Sequence, residues 1–288
     1  MAFPDKKLHE WKDLLPSVLY LIPAFIFHFI FKKILKGWAR ANLDSVYTQD
    51  GDEEIIKTYT KKVATNIFKC VFYFSNTVFG YYVIKDLNFF PKLLLGNGSF
   101  YKLFEPGYPE LIFWEKPLLF DAYYNLIITF ALFDLINLLT HQLQSDFLIM
   151  LLHHLATLSL QVFSYLYGYD NIGCIVCFLH YYGDIYSYVV RTAIYLKGRE
   201  TLKFTSTFLF LVNFAYTRIV VFSTIIYGII FYLVQKWKFI EYAMTSFLCF
   251  LIILHVIWTF LITKKFAKYC MTGDIEEIYK VKISKKEC

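Results

Sequence analysis

The sequence predicts an all-α polytopic membrane protein, and three observations lead there. Of its 288 residues 58% are hydrophobic and only 18% charged, with a mean hydropathy of +0.47, against roughly 45–50% apolar and about 25% charged in soluble domains. Apolar runs of about 20 residues, the length one helix needs to cross the hydrocarbon core, recur along the chain. The 24 Tyr and 31 Phe residues crowd these runs and their ends, as interfacial aromatic belts do.

Taken in order, the runs give about seven spanning helices, at roughly 15–35, 64–84, 117–140, 147–168, 172–196, 204–233 and 243–263. Lys69, Arg191 and Arg218 fall inside them, and the fifth, with His180, Asp184 and Arg191, is the least apolar. It therefore faces protein interior and not lipid. No internal repeat or low-complexity linker divides the chain. Residues 1–60 read as an N-terminal segment with the first helix and a basic loop, 61–265 as a six-helix membrane domain, and 266–288 as a basic tail. The mixed-charge start from Met1 to Asp13, followed by a long apolar run without a small-residue cleavage site, predicts no removable signal peptide. The six cysteines are scattered and lie mostly in or beside apolar segments, which argues against an extracellular disulfide framework. Cys174 and Cys177 read as small packing residues of the fifth helix.

The lysines and arginines set the orientation. Lys32, Lys33, Lys36, Arg40, Lys57, Lys61 and Lys62 follow the first span, and Lys264, Lys265, Lys268, Lys280, Lys282, Lys285 and Lys286 follow the last. By the positive-inside rule both regions are cytosolic. Seven crossings then put the 85–116 loop in the lumen, where Asn97-Gly98-Ser99 is a glycosylation sequon. The terminal Lys285-Lys286-Glu287-Cys288 resembles the dilysine retrieval signal of endoplasmic reticulum membrane proteins, an address read by a receptor on a cytosolic tail. A formal net charge of +6 and a pI near 8.8 suit a surface meeting anionic headgroups. The expected address is a multi-pass endoplasmic reticulum protein with a cytosolic C-terminus.

The most informative stretch is the fourth span, with His153-His154 at its centre. Ionisable groups at membrane depth are costly and mark a cavity, a substrate path or a reaction centre. At 3.6 residues per turn, Asp146, Met150, His153 or His154, Thr157, Gln161 and Ser164 form one polar stripe on that helix. Cys177, His180 or Tyr181, Asp184, Tyr188 and Arg191 form another on the fifth. Two such stripes on neighbouring helices can line one cavity. The sixth span adds Asn213, Tyr216 and Arg218, and the seventh His255 with Trp258 one turn away.

Neutral imidazole can take a proton or attack an activated carbonyl near neutral pH, and a carboxylate on its far nitrogen fixes the tautomer. A histidine pair opposite Asp184 therefore suits acyl transfer from a thioester, with one histidine as general base or nucleophile. A metal site is the competing chemistry, but adjacent helical residues point about 100° apart and chelate less well than residues three or four apart. Histidines that only hydrogen-bond between helices are the plainest alternative.

The run Asp146-Phe147 through Met150, His153-His154, Thr157 and Ser164-Tyr165, then Gly173, Leu179-His180, Asp184 and Tyr195, resembles the signature of ceramide synthases within the TLC-domain family. Tyr73, Phe79-Gly80 and Tyr82, the Gly107-Tyr108-Pro109 loop, Tyr123-Tyr124, Arg218, and Leu254-His255 with Trp258 also look like family positions, so the likeness covers residues from about 60 to 264. It implies transfer of a fatty acyl group from acyl-CoA to the amine of a sphingoid base, giving ceramide or dihydroceramide and free CoA. It also implies six helices ringed around a central cavity, with the first helix outside. His153, His154 and Asp184 would be catalytic, and Asp146, Met150, Thr157, His180, Tyr181, Tyr188, Arg218, His255 and Trp258 would contact substrate. The partners would be fatty acyl-CoA, a sphingoid base and membrane lipids, with no nucleic acid, no metal and no cofactor beyond the acyl-CoA substrate; a homo- or hetero-oligomer is compatible with this.

The chain departs from the family pattern at several positions. Tyr181 stands where the family has its first aspartate, Tyr188 where it has an acidic residue, and Gly168 and Asn171 replace the usual Asn and Arg of the connecting stretch. A non-catalytic TLC protein that binds lipid, or handles membrane proteins as TRAM-like relatives do, is the alternative these changes leave open.

Overall fold

Long apolar segments in lipid must satisfy their backbone groups internally, which an α-helix does alone. The computed structural model accordingly consists of helical rods; it describes residues 9–48, 52–103, 116–140, 146–198, 200–233 and 239–273. The Gly107-Tyr108-Pro109 loop and the Lys285-Lys286 end lie outside these residues. Helix α1 (Leu21–Ala41) is led in by turns at Trp11–Leu14 and Leu15–Leu19. It is followed by α2 (Glu53–Ile84), α3 (Phe120–Thr140), α4 (Phe147–Leu166) and α5 (Asp170–Tyr195). The sixth rod, α6 (Glu200–Phe231), is α-helical over Glu200–Ala215 and Phe222–Gly228 and π-helical over Tyr216–Val221. The last is α7 (Phe239–Thr272).

Among the described residues, six of these rods are long and apolar enough to cross a membrane, all but α5. The protein is an all-α, multi-pass membrane protein. The rods outrun the apolar windows at several ends, because a helix continues past the hydrocarbon core wherever its end groups find partners. Thus α2 begins eleven residues before position 64. Asp52 caps it, its carboxylate accepting from the backbone of Glu54 at 2.9 Å and Ile55 at 3.3 Å, with Glu53 and Glu54 in the first turn favoured by the helix dipole.

Helix α5 is the inner strut. Its most extensive partner is α2, and it also packs on α6 and α4. Further contacts run from α2 to α3, α3 to α4, α4 to α7 and α7 to α6, while α1 lies against α2 and α3. On α1 the side chains of Ile22, Ile26, Phe29, Ile30 and Ile34 are exposed, an apolar stripe for lipid.

Polar ties hold both ends of α5. At its start, Gly168 adopts φ 77°, a conformation an L side chain resists, and the Tyr169 amide donates to the Ser164 carbonyl at 2.7 Å, so α4 turns sharply into α5. Asp170, 1% exposed, is bound there by Lys116, whose ammonium also donates to His9 Nε2 at 2.6 Å. The His9 ring stacks on Tyr165 with centroids 4.0 Å apart, and burial, with the Lys116 charge second, holds its imidazole below the usual value. At the other end the Asp44 amide donates to the Tyr195 carbonyl at 3.0 Å and Lys203 Nζ lies 3.4 Å from Asp44. The α1–α2 connection is thereby tied to the α5–α6 corner.

Close approach of α5 to α3 and α4 requires a glycine. A Cβ on Gly173 would lie 2.1 Å from the Tyr124 hydroxyl and 2.5 Å from Ser164 Oγ, two atoms that hydrogen-bond each other at 2.5 Å. Gly173→Ala should lower stability by about 1–3 kcal/mol, the usual cost of overpacking. Adding Tyr124→Phe removes the nearest atom and should restore part of that loss. Thermal unfolding in one detergent checks both, and a silent Gly173→Ala would show the contact to be slack.

Candidate functional site

Polar residues in membrane-spanning helices gather where they can serve each other. The paired histidines sit mid-way along α4, half-buried, with ring centroids 5.5 Å apart and planes at 66°. Adjacent helical residues diverge in this way, so the two imidazoles face different neighbours. His153 turns toward α7, its ring edge-on to Trp258 at 5.1 Å. One turn away on α7, His255 is fully buried, 6.2 Å from Trp258 and 5.2 Å from His180 of α5. Phe222 of α6 closes the group, 5.1 Å from His255 and 5.5 Å from His180. Five aromatic and imidazole rings from three helices thus run in series from His154 to His180.

Several polar atoms of this cluster are buried without a hydrogen-bond partner among the described residues. They are His153 Nδ1, both ring nitrogens of His255, His180 Nε2, Asn213 Oδ1 and Arg218 Nε. Leaving a buried donor or acceptor unsatisfied costs about 1–3 kcal/mol each, so such groups concentrate at sites that bind something polar. His180 Nδ1 is bonded within its own helix to the Val176 carbonyl at 2.6 Å, which requires the proton on that nitrogen and leaves Nε2 as an acceptor.

Arg218, 4% exposed, comes from the π-helical stretch of α6. The extra residue per turn interrupts the regular ladder, a device that recurs at functional sites. Its Nη2 donates to the His180 carbonyl at 3.0 Å and to Asp184 Oδ1 at 2.6 Å. The carboxylate expected to serve a histidine therefore meets the guanidinium. Among the described residues Arg218 is the hydrogen-bond partner of Asp184, and no histidine nitrogen reaches it.

The other positions singled out in the sequence divide into near and far. Thr157 donates to the His153 carbonyl at 2.8 Å, staying on its own helix. Tyr181 is buried, donates to the Ile127 carbonyl of α3 at 3.1 Å and packs on Tyr73 at 5.2 Å. Tyr188 stacks on Tyr73 at 5.4 Å, with Lys69 and Arg191 against its ring. Met150 lies half-buried one turn before His153, and Asp146 is exposed at the start of α4, its carbonyl accepting from the Met150 amide at 3.0 Å.

A second buried charge pair lies beside these tyrosines and was not foreseen. Lys69 Nζ of α2 sits 2.8 Å from Asp134 Oδ1 of α3, and the Tyr73 hydroxyl donates to Asp134 Oδ2 at 3.0 Å. Both charges are within electrostatic reach of His154. Two lone charges of opposite sign in separate apolar runs are the signal that finds such a pair, since neither can remain alone at membrane depth. Among the described residues no three His, Cys, Asp or Glu side chains form a group that could hold a metal ion.

Comparison with known proteins agrees with this architecture. The TLC domain, which groups TRAM, LAG1 and CLN8 proteins, matches residues 62–264. The chain is 24% identical over 272 residues to the rice protein called ASC1-like protein 1, covering 90% of this chain and 82% of that one. It is 25% identical over 266 residues to ceramide synthase 1 LOH3 of Arabidopsis thaliana, at 88% and 82% coverage. Mouse ceramide synthase 3 is 30% identical over 169 residues, 57% of this chain and 44% of the mouse protein. With most of its length matched by the domain, the chain belongs to the TLC-domain family.

Proposed function

We propose that the protein is a ceramide synthase of the endoplasmic reticulum, transferring a fatty acyl group from acyl-CoA to the amine of a sphingoid base. The observation that carries this reading is the ring series from the His153-His154 pair through Trp258 to His255 and His180, with its unpartnered nitrogens. Weak similarity to several ceramide synthases supports it. The helices touch in the order α2, α3, α4, α7, α6, α5 and back to α2, with α5 also meeting α4 across the group; six helices ringed around a reaction chamber, with α1 outside, is the arrangement the family resemblance implies.

The chemistry needs one imidazole. As general base it takes a proton from the sphingoid amine while the amide C–N bond forms and the thioester C–S bond breaks; the proton then passes to the CoA thiolate. As nucleophile it attacks the thioester carbonyl and expels CoA thiolate, and the amine then cleaves the acyl-imidazole. His153 and His154 are the candidates. Asp184 would act as a positioning residue through Arg218, whose guanidinium is shared between that carboxylate and the His180 carbonyl. Asp134, held by Lys69 and Tyr73, would supply from α3 the buried carboxylate that the family pattern has at position 181. Met150, Thr157, Tyr181, Tyr188, His255 and Trp258 would line the substrate path, with Asp146 at its mouth. The replacement at Tyr181 is what favours the second reading, a non-catalytic TLC protein that binds lipid; an acyltransferase assay separates the two.

His153→Ala and His154→Ala should each remove most ceramide formation while membrane insertion persists, and wild-type rates in both would end the mechanism. Mass spectrometry of the protein incubated with acyl-CoA alone distinguishes the roles: an acylated histidine marks the nucleophile. Asp184→Asn leaves Arg218 charged and unpaired at membrane depth, a loss of about 3–5 kcal/mol in stability when a buried pair is broken. Combined with Arg218→Gln it should regain stability but not activity, and recovery of both would deny the pair any part in the reaction. With both basic regions in the cytosol, a C-terminal tag should bind antibody after selective permeabilisation of the plasma membrane; a protected tag would invert the topology.

A further inference from the structure

Helices α1 and α2 enclose a basic cavity that the proposed acyl transfer does not use. It has a volume of about 470 Å³ and lies between α1, from Phe25 to Lys36, and the first turns of α2, from Lys57 to Ala64. That volume falls in the roughly 300–1,000 Å³ range of ligand pockets. Its apolar part is formed by the half-buried Phe25, the lipid-exposed Phe29 and Ala64, with His28 between the two phenylalanines. Its other lining residues are Lys32, Lys33, Lys36, Lys57 and Lys61. Lys32 is half-buried and the other four are exposed.

Five ammonium groups around one cavity repel each other, and ordinarily carboxylates relieve this. Among the described residues none of the five has a carboxylate within ion-pair distance, while Glu53 at the start of α2 is engaged by Arg40 at 2.5 Å. The local charge thus calls for an anion from outside the chain. The apolar part calls for a hydrocarbon tail. The exposed stripe Ile26, Phe29, Ile30 and Ile34 continues from the cavity along the lipid-facing side of α1. An occupant with a multiply charged phosphate head and a tail that remains in the bilayer meets all three conditions. The histidine cluster lies among α4, α5, α6 and α7, away from this cavity on α1 and α2.

We propose that the cavity between α1 and α2 is a binding site for an anionic phospholipid, its phosphate held by the lining lysines and its acyl chain laid along Phe25 and Phe29. Lysines near an anionic surface each change affinity by about fivefold. Occupancy would brace the outer helix α1 against α2.

Native mass spectrometry of the purified, delipidated full chain tests this, titrating phosphatidic acid, phosphatidylcholine and palmitoyl-CoA in separate arms. Phosphatidic acid should be retained at one site and more tightly than phosphatidylcholine. Lys32→Gln with Lys61→Gln should weaken it by about 25-fold, at about fivefold per lysine. Lys33→Gln with Lys36→Gln, both exposed positions, should weaken it similarly and guards against misfolding of the first pair. Lys85→Gln with Lys92→Gln, beyond the far end of α2, should leave it unchanged. Equal binding of the two phospholipids, or phosphatidic acid binding indifferent to both cavity variants, would overturn the site. Palmitoyl-CoA binding more tightly than phosphatidic acid and lost in the cavity variants would assign the cavity to acyl-CoA and overturn the phospholipid. Because the readout is lipid mass and not ceramide formation, it stands or falls apart from the acyltransferase reading.

Discussion

Everything inside this protein follows from the inability of hydrocarbon to solvate charge. A lone ionised group at membrane depth is costly, by about 2.5–3.5 kcal/mol even on the mildest scale, so each charge carried in by a helix has to find its counterpart on another. Lys69 of α2 meets Asp134 of α3, and Arg218 of α6 meets Asp184 of α5. Nearer the ends, Lys116 meets Asp170 and Lys203 meets Asp44. These pairings fix which helices are neighbours and at what depth. The histidines are then brought together as a consequence, because the helices that bear them have been set side by side.

Pairing is also what gives the site its character. Arg218 spends its guanidinium on Asp184 and the His180 carbonyl, while its Nε, like Asn213 Oδ1 and several imidazole nitrogens, has no hydrogen-bond partner among the described residues. The interior sets these donors and acceptors against aromatic surface from Phe222 and Trp258. The π-helical turn at Tyr216–Val221 is the local device that brings Arg218 to this point.

Much of this was legible in the sequence, for a definite physical reason. Six of the helices are long and apolar enough that apolar length alone marks them, and the histidine pair stands out because ionisable groups at membrane depth are costly. The polar stripes of α4 and α5 follow from helical periodicity, which is local. What stayed hidden is non-local. Periodicity does not say that Asp184 faces Arg218 and not a histidine, nor that Asp134 crosses to Lys69, since both depend on which helices touch. The helix ends were equally hidden: the apolar window stops at the membrane boundary, while α2 continues to the cap at Asp52. Tyr181, read as a lost carboxylate, proves to be a packed tyrosine bonded to Ile127, beside a carboxylate contributed by another helix.

The central claim is that the interior histidine cluster makes an amide from a thioester. Purified protein in lipid nanodiscs, given labelled sphinganine and a panel of fatty acyl-CoA lengths, puts it to the most direct measurement. The account predicts labelled dihydroceramide and an equal amount of free CoA, formed with a preference among acyl lengths. Tight binding of sphinganine or acyl-CoA with no labelled amide at any length would contradict it and leave a lipid-binding protein in its place.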